Sequence, residues 1–247
     1  MCTLIVASRL WQESPLLVAA NRDEQLGRPS APPQAWPGRS PALFAPVDQQ
    51  AGGTWLGLNA AGLFAGVTNR FGASPPEPGR RSRGLLVLDA LAERDPTSAA
   101  ERVLRHHPTA HNRFHLMLAD RERAVLVWSD GERFEHEDLA PGLHVLTERS
   151  LGAASGDRER LIHERLGSRP AAPDLMELGS LLSLHAEDPL DGTCVHAPEL
   201  GYGTRSSTLI WLGRGSDEIR LWHAPGPPCE APYGDLSGAI AAALGAA

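Results

Sequence analysis

Two apolar segments at the start of the chain constrain its fold more than any other feature. The first ends at Ser8 and the second begins at Pro15, with a short polar connection over residues 9–14. Apolar runs of this length that flank a polar turn predict an antiparallel hairpin. Such a hairpin returns the end of its second strand to the start of its first. With Ser8 opposite Pro15, we expect Cys2 to lie opposite Asn21.

The predicted hairpin places a thiol beside charged groups, because its second strand ends in the tetrapeptide of residues 21–24, Asn-Arg-Asp-Glu. If Met1 is removed, Cys2 carries both a thiol and an α-amine. An α-amine has a pKa of about 8, so it can take the thiol proton and serve as general base. The positive charge of Arg22 favours the thiolate, and Asp23 is placed to orient the ammonium or the guanidinium. Alternatively, Cys2 is an ordinary strand residue followed by a solvated turn.

Three further blocks follow the tetrapeptide in the chain. They are Gly52-Gly53-Thr54-Trp55-Leu56-Gly57 with Asn59 and Gly62, then Thr68-Asn69-Arg70, and finally Gly203-Thr204-Arg205-Ser206-Ser207-Thr208. Together with Met1-Cys2-Thr3 and the tetrapeptide, these blocks resemble the NRDE family, also called the Transport and Golgi organisation protein 2 family. The resemblance runs from residue 2 to about residue 212, and four ordered blocks are far more specific than any single one.

The resemblance implies a site similar to that of the cysteine N-terminal nucleophile hydrolases, the group that contains penicillin V acylase and the bile salt hydrolases. Cys2 matches their nucleophile, and Arg22 and Asp23 match the charged pair after their second strand. Asn69 matches the oxyanion position, and Arg205 matches a late arginine. An oxyanion role also fits the second predicted hairpin, which brings Asn69 back toward a pair of glycines where backbone can approach a ligand closely.

Four more residues are expected to contact the substrate: Asn21, Gly53, Trp55 and Glu148. One of them departs from the family pattern. Where related proteins have Ser-Asn after a strand, this chain has Thr147-Glu148, which replaces a neutral donor with a carboxylate that only accepts hydrogen bonds. This change weakens the match to the second hydrogen bond of the acylase site.

The order of predicted elements indicates an α+β protein. Strands are expected at residues 54–58, 63–68, 114–119, 124–128, 143–147, 193–196, 204–212 and 218–223, and helices at 85–91, 99–104, 157–166, 174–184 and from about 236. This order suits two stacked antiparallel sheets covered by helices, and the resemblance implies the same four-layer αββα sandwich over residues 1–247 as a single domain. The proline-rich segment from Gln25 to Gly52 is expected to be a loop, either an ordered flap over Cys2 docked through Trp36 and Phe44 or a plain surface loop.

Composition narrows the class of protein further. The 247 residues are 42% hydrophobic with a net charge of −7, which is typical of a globular chain and argues against nucleic acid or an anionic membrane as partner. Three cysteines cannot all pair, which favours a reducing compartment. No apolar run reaches the length of a membrane span or a signal peptide, so we expect a cytoplasmic protein. The oligomeric state stays open.

The histidines allow a rival interpretation. His106, His107, His111 and His115 lie close together in the sequence, and Cys194 precedes His196 by two residues. Pro108 interrupts the helix that i, i+4 ligands would need, so we expect structural histidines, no metal and no cofactor. Reversible haem carriage, suggested within the NRDE family, requires little ligand signature.

Two functions therefore remain. The first is hydrolysis, in which the Cys2 thiolate attacks a linear amide or related acyl compound at a non-peptide C–N bond. The second is a non-catalytic carrier of haem or an acyl-lipid ligand, because a shared fold does not by itself confer activity.

Overall fold

The structure, a computed structural model, describes residues 2–72, 75–151 and 156–245. The strands of its first sheet are β1 (Cys2–Trp11), β2 (Ser14–Gln25), β10 (Gly142–Leu146), β11 (His196–Ala197), β12 (Tyr202–Leu212), β13 (Ile219–Ala224) and β14 (Gly234–Asp235). Those of the second sheet are β3 (Ser30–Trp36), β4 (Leu43–Asp48), β5 (Leu56–Asn59), β6 (Phe64–Asn69), β7 (Phe114–Ala119), β8 (Ala124–Ser129) and β9 (Phe134–Leu139). The helices are α1 (Arg83–Ala90), α2 (Pro96–Leu104), α3 (Asp157–Leu166), α4 (Leu175–Leu182) and α5 (Ser237–Leu244).

The two sheets differ in how the chain builds them. The first has the order β10-β1-β2-β12-β13-β14, with β11 paired to β12, so strands distant in sequence lie side by side. The second runs from β3 to β9 in chain order as a continuous meander. All paired strands in both sheets are antiparallel, as the sequence predicted.

The layer between the two sheets forms the central hydrophobic core. Leu4 and Val6 of β1 point into it, as do Leu16 and Val18 of β2. The residue between the first two, Ile5, faces the opposite side of the sheet and packs with α3 and α4. Both faces of these strands are buried, which explains why they read as continuous apolar runs without polar alternation.

Each outer face of the sandwich is covered by a helix pair. Leu86 of α1 and Val103 of α2 pack on the second sheet, and Ile162 of α3 and Leu182 of α4 pack on the first. Helix α5 contributes Ile240 to the central core, which closes the space between the sheets at one edge. These packing layers confirm the predicted αββα sandwich.

The segment from Gln25 to Gly52 is not the loop that its prolines suggested, because it contains β3 and β4. Strand β3 is an edge strand, and Pro32 and Pro33 lie where its register against β4 shifts. Prolines are tolerated at such positions because they need not donate to the ladder. Phe44 lies in the central core and Trp36 packs on the cluster beneath α1 and α2, so neither docks a flap.

The register of the first hairpin also differs from the prediction by one residue. Cys2 lies opposite Arg22, whereas Thr3 is opposite Asn21. The strands continue to a two-residue turn, and a β-bulge next to Ser8 places one extra residue on β1. Because side chains alternate along a strand, this single-residue shift decides which residues share a face with Cys2.

Most of the remaining elements confirm the sequence analysis. The second hairpin is β5 and β6, and the predicted helix pair is α1 and α2, with Asp95 capping α2 through the Ser98 N–H. Strand β9 was not predicted, because its residues are mostly charged and exposed on the edge of the second sheet. Among the helices of the described residues, none has the length and apolar character that crossing a membrane requires.

Candidate functional site

A cavity of about 500 Å³ opens where the starts of β1 and α1 meet the ends of β2 and β6. Its lining is mostly polar and includes five arginines and three carboxylate residues. The lining contains Cys2, Arg22, Asp23, Trp55, Asn69 and Arg83. The structure therefore brings together four of the five residues predicted to be catalytic, together with one of the four predicted substrate contacts.

Cys2 is half-buried at the first described position of β1. It continues the face of Leu4 and Val6, so its side chain is directed toward the layer between the sheets. Burial raises the pKa of the Cys2 thiol, and the smaller effect of the Arg22 charge lowers it. The thiol is therefore protonated at neutral pH and needs a base in order to react as a thiolate.

Arg22 presents a guanidinium group to the cavity on the same face as Cys2. Its guanidinium carbon lies 4.4 Å from the centre of the Trp55 ring, and its Nη2 lies 3.8 Å from a carboxylate oxygen of Glu24. The side chain is only 4% exposed, yet its Nη1 makes no hydrogen bond to any residue in the described part of the chain. A buried N–H donor at a cavity wall without a partner is suited to bind an oxygen atom of a ligand.

Asp23 is a buried carboxyl group at the same wall. Its Oδ1 accepts a hydrogen bond of 2.6 Å from the Thr204 hydroxyl, and its backbone carbonyl accepts one of 2.7 Å from the Tyr202 hydroxyl. Burial raises the pKa of Asp23 from 3.8 to about 6, against the opposing effect of the Thr204 hydrogen bond. A carboxyl group that titrates this close to neutrality can hold or release a proton during a reaction.

Arg83 reaches the cavity because α1 begins against the turn that precedes β5. A Cβ atom on Gly53 would lie 2.4 Å from the carbonyl carbon of Gly84, so only glycine permits this backbone contact. Burial lowers the pKa of Arg83, and the negative charge of an ionised Cys2 would oppose that effect. Gly53 thus positions α1 through packing and does not itself line the cavity.

Asn69 ends β6 and contributes a half-buried amide to the cavity. Together with Arg83 at the start of α1, it adds a neutral and a charged group of N–H donors to the cavity that also contains the Cys2 thiol. Donors in the same cavity as a nucleophile are what a developing oxyanion requires.

Asn21 lies outside the cavity, because the register directs its side chain to the helix-covered face of the first sheet. Its Nδ2 donates to the carbonyl oxygens of Leu182 at 2.8 Å and Thr193 at 2.7 Å. The asparagine of the tetrapeptide therefore attaches β2 to the end of α4 and to the segment that follows it.

Glu148 and Arg205 are also absent from the cavity lining. Glu148 is buried, and its Oε2 lies 3.7 Å from Nη1 of Arg158, which in turn donates to the Thr3 hydroxyl. Arg205 is half-buried at the register shift of β12. Glu148 therefore belongs to an ion pair behind the first strand; burial is the main cause of the raised pKa of Asp23 at the cavity wall, and the Glu148 charge adds to it.

Sequence reasoning missed Arg83 and Thr204 as parts of the site. Arg83 did not stand out in the sequence, because all 23 basic residues of the chain are arginine. The residues on either side of it do indicate the start of a helix, since Ser82 caps α1 by accepting a hydrogen bond from the Gly84 N–H. Such a cap fixes the helix start and hence the position of the first helical side chain.

The four clustered histidines do not form a ligand set. His115 makes a 3.1 Å hydrogen bond to the Thr68 hydroxyl, and His111 makes a 3.0 Å hydrogen bond to the Arg81 carbonyl. Burial lowers the pKa of both rings to about 4, so they are neutral core residues. His106 instead lies 3.4 Å from the Asp89 carboxylate.

The sandwich of two helix-covered antiparallel sheets is the fold of the N-terminal nucleophile hydrolases. It is similar to the solved structure of a Caenorhabditis elegans N-acylethanolamine-hydrolyzing acid amidase ortholog, with a TM-score of 0.59 and 14% identity over 85% of this chain and 92% of the other. At this level of identity, the likeness concerns the fold alone.

Within that fold, the chain belongs to the Transport and Golgi organisation 2 family, whose sequence model matches residues 1–221. It is 34% identical over 140 residues to a mouse Transport and Golgi organization 2 homolog, covering 53% of this chain and 50% of the mouse protein. It is 29% identical over 229 residues to a human homolog, covering 79% of this chain and 81% of the human protein. The match to the mouse relative spans about half of that relative's length.

Proposed function

We propose that this protein is a cysteine N-terminal nucleophile hydrolase that cleaves a non-peptide C–N bond in a linear amide, with residues 1–247 acting as one domain. The observation that carries the proposal is the position of Cys2. It faces a charged cavity whose wall also contains Arg22, Asp23 and Asn69. A nucleophile, a titratable carboxyl group and several N–H donors are what acyl transfer requires.

The reaction begins after removal of Met1, which turns the nitrogen of Cys2 into a free α-amine. This amine takes the thiol proton, and the sulfur attacks the carbonyl carbon of the amide to form a C–S bond. The ammonium then returns the proton to the leaving nitrogen as the C–N bond breaks, which leaves a thioester. Water, deprotonated by the same amine, attacks the thioester, releases the carboxylic acid and regenerates the thiol.

The side chains around Cys2 have distinct roles in this scheme. Asn69 and Arg83 donate to the oxygen that becomes negative in the tetrahedral intermediate. Arg22 binds an oxygen of the substrate through its unpaired Nη1, and the Trp55 ring holds its guanidinium group flat. Asp23 orients the ammonium of Cys2 through its buried carboxyl group.

The residues that line the cavity limit the kinds of substrate that it can bind. Its many arginines suit a polar or anionic group on one side of the amide. An adjoining cavity of about 400 Å³ shares Asn69 and Arg83 with it and adds the apolar surfaces of Phe71 and Pro76. An acyl chain that lies there would place its carbonyl carbon near Cys2, whereas a haem ring would have to bury apolar surface against the arginines.

Cytoplasmic action is part of the proposal. The cysteine content supports it, because three cysteines cannot all form disulfides within the chain and disulfides are rare in a reducing compartment.

The test combines mass measurement with covalent labelling. Intact mass of the full chain shows whether Met1 is removed, and an acylating β-lactone probe followed by peptide mapping shows which cysteine reacts. We expect a processed chain labelled at Cys2 and not at Cys194 or Cys229. Cys2→Ala should lower hydrolysis of a panel of N-acyl amines by about 10³-fold or more.

Two results would contradict the proposed hydrolase function. A chain that retains Met1, or a Cys2 thiol that does not react with the probe, removes the nucleophile. Saturable binding of haem or a fatty acid to such an unreactive chain would instead support the carrier.

A further inference from the structure

Four side chains that can ligate a metal meet behind β12, outside the candidate hydrolase cavity. They belong to His185, Cys194, His196 and Cys229, and their nearest ligand atoms all lie within 4.8 Å of one another. The Cys194 sulfur is 3.6 Å from the Cys229 sulfur and 3.5 Å from Nε2 of His196. The Cys229 sulfur is 3.1 Å from the same nitrogen.

These separations match the edges of a tetrahedral zinc site. Zinc binds sulfur at about 2.3 Å and nitrogen at about 2.0–2.1 Å, so its four ligand atoms are about 3.3–3.8 Å apart. Of the three separations among Cys194, His196 and Cys229, those of 3.6 and 3.5 Å lie in that range and that of 3.1 Å is slightly shorter. His185 stacks on His196 with ring centres 4.9 Å apart, and its exposed ring can complete the set by rotation.

Three of the four residues lie in one backbone-bonded part of the chain, and the fourth comes from a separate segment. Cys194 is buried and donates its N–H to the carbonyl of Leu184, which places His185 beside it. His196 begins β11 and pairs with Gly203 of β12. Cys229 approaches from the segment between β13 and β14, so a metal here would link two chain segments that no disulfide joins.

A carboxylate lies on the outer side of the cluster. Oε1 of Glu230 is 3.9 Å from Nδ1 of His196, the ring nitrogen that does not face the two sulfur atoms. Ligating histidines commonly direct their second nitrogen to a carboxylate, which sets the tautomer and raises the basicity of the ligating nitrogen. This arrangement leaves Nε2 of His196 as the ligand atom.

We propose that His185, Cys194, His196 and Cys229 bind a structural Zn²⁺ ion, contrary to the absence of a metal that the sequence predicted. Two thiolates and two imidazoles form the ligand set that zinc prefers, and four protein ligands leave no open position for catalysis. Binding exchanges two thiol protons for one divalent cation, without any change of oxidation state. This inference does not depend on the proposed hydrolase activity.

The proposed ion is connected to the candidate hydrolase site through the segment that leads into β11. Val195, between the ligands Cys194 and His196 in that segment, donates its N–H to the Thr204 hydroxyl at 2.8 Å. The same hydroxyl donates to Asp23 at 2.6 Å. An ion that holds residues 194–196 in place therefore also positions the hydroxyl that binds the Asp23 carboxylate.

The main competing state is a disulfide between Cys194 and Cys229. Their sulfur atoms are separated by 3.6 Å, whereas a covalent S–S bond is about 2.05 Å long. A disulfide would consume both thiolates and exclude the metal. The two states therefore differ in metal content and in mass, because a disulfide removes two hydrogen atoms.

The experiment measures metal in the full chain, purified in reductant and equilibrated with zinc before the free ion is removed. Native mass spectrometry and elemental analysis should give about one zinc per chain. Cobalt substitution should produce the visible bands of a tetrahedral ion and a thiolate-to-cobalt charge-transfer band. Cys194→Ser and Cys229→Ser should each weaken zinc binding by about 100-fold or more, and Glu230→Gln by about tenfold.

Cys2→Ser is the matched control, because it removes a thiol that lies outside the cluster, and it should keep the zinc. Near-ultraviolet circular dichroism checks that each variant is folded, and Cys229→Ser is the decisive one because its side chain is exposed. A wild-type chain without bound zinc would overturn the proposal. So would a chain that is isolated with a Cys194–Cys229 disulfide, or a folded Cys229→Ser variant that binds zinc as tightly as the wild type.

Discussion

Cys2 and Arg22 lie directly opposite each other on β1 and β2, and both side chains face the layer between the sheets. The pairing places a fixed positive charge next to the thiol before any ligand binds. Arg22 is itself held by the Trp55 ring at 4.4 Å. The reactivity of Cys2 should therefore depend on Arg22 more than on the other arginines of the molecule.

Arg22→Gln should slow the alkylation of Cys2. A nearby positive charge favours the thiolate, so loss of Arg22 should raise the thiol pKa; because this charge is one of the smaller influences on the buried thiol, the thiolate fraction at neutral pH should fall by about two- to fivefold. The rate constant for alkylation of Cys2 by iodoacetamide, measured between pH 6 and 10, gives both the thiol pKa and the thiolate fraction at neutral pH. The alkylation rate of the Arg22→Lys variant should lie between those of the wild type and Arg22→Gln, because lysine keeps the charge but loses the planar contact with Trp55.

Arg220→Gln is the matched control for this measurement. Arg220 also lies over a tryptophan, with its guanidinium carbon 5.0 Å from the Trp211 ring, but it does not line the cavity. Its loss should leave the alkylation rate of Cys2 unchanged. Equal effects of the two substitutions would mean that Arg22 does not act on the thiol.

Asp23 should make the stability of the protein depend on pH between about 4 and 6. Burial raises the pKa of Asp23 to about 6, so the folded state binds this proton more tightly than the unfolded state does. The resulting stabilisation is fully present below the unfolded pKa of about 4 and is lost as the pH rises through 6. For a shift of about two pH units, the loss is about 3 kcal/mol.

Urea unfolding of the wild type and of Asp23→Asn at several pH values isolates this contribution. The difference between the two free energies of unfolding should fall by about 3 kcal/mol from pH 3 to pH 7. The buried histidines titrate in both proteins and cancel in the difference. A difference that stays constant with pH would show that Asp23 has an ordinary pKa.

Gly53→Ala should destabilise the protein and disturb the cavity together. The new Cβ atom would meet the Gly84 backbone at 2.4 Å, so α1 must shift, and Arg83 shifts with it. Overpacking of this kind costs about 1–3 kcal/mol. Thermal unfolding measures the loss, and the rate of Cys2 labelling reports the displacement of Arg83.

Gly238→Ala provides the comparison for Gly53→Ala. Gly238 lies in α5, and nothing within 4 Å would meet an added Cβ atom there. Alanine is favoured over glycine in a helix by about 1 kcal/mol, so this variant should be at least as stable as the wild type. If Gly53→Ala were equally stable, the close contact with Gly84 would not constrain α1.

Asn21→Ala should lower stability and leave the chemistry of Cys2 intact. The substitution removes both hydrogen bonds to the carbonyl oxygens of Leu182 and Thr193, which are buried at the end of α4 and in the segment that follows it. Leaving two buried acceptors without partners costs about 2–4 kcal/mol. Under conditions where the variant is folded, Cys2 should be labelled at the wild-type rate, and a large loss of labelling would indicate that Asn21 contacts the site after all.

The sequence was sufficient for most of the elements, and it predicted that Cys2, Arg22, Asp23 and Asn69 lie close together, as they do in one cavity. Period-3.6 and apolar patterns correctly gave α1, α2 and the β5–β6 hairpin, because local packing and turn residues determine those segments. The same patterns failed for β3, whose prolines are compatible with an edge strand, and for β9, whose charged residues are compatible with exposure on an edge. Edge positions are set by neighbouring strands, which local sequence does not reveal.

The sequence by itself determined that the chain would form helix-covered antiparallel sheets, with Cys2 brought back to the end of β2 by the first hairpin. Only the tertiary structure decided which residues share the cavity with that thiol. The β-bulge of β1 brings Cys2 opposite the inward-facing Arg22 while Asn21 faces outward, and the contact between Gly53 and Gly84 adds Arg83 to the wall. The physical reason is that side chains alternate along a strand, so a register shift of one residue exchanges the two faces without changing the order of the elements.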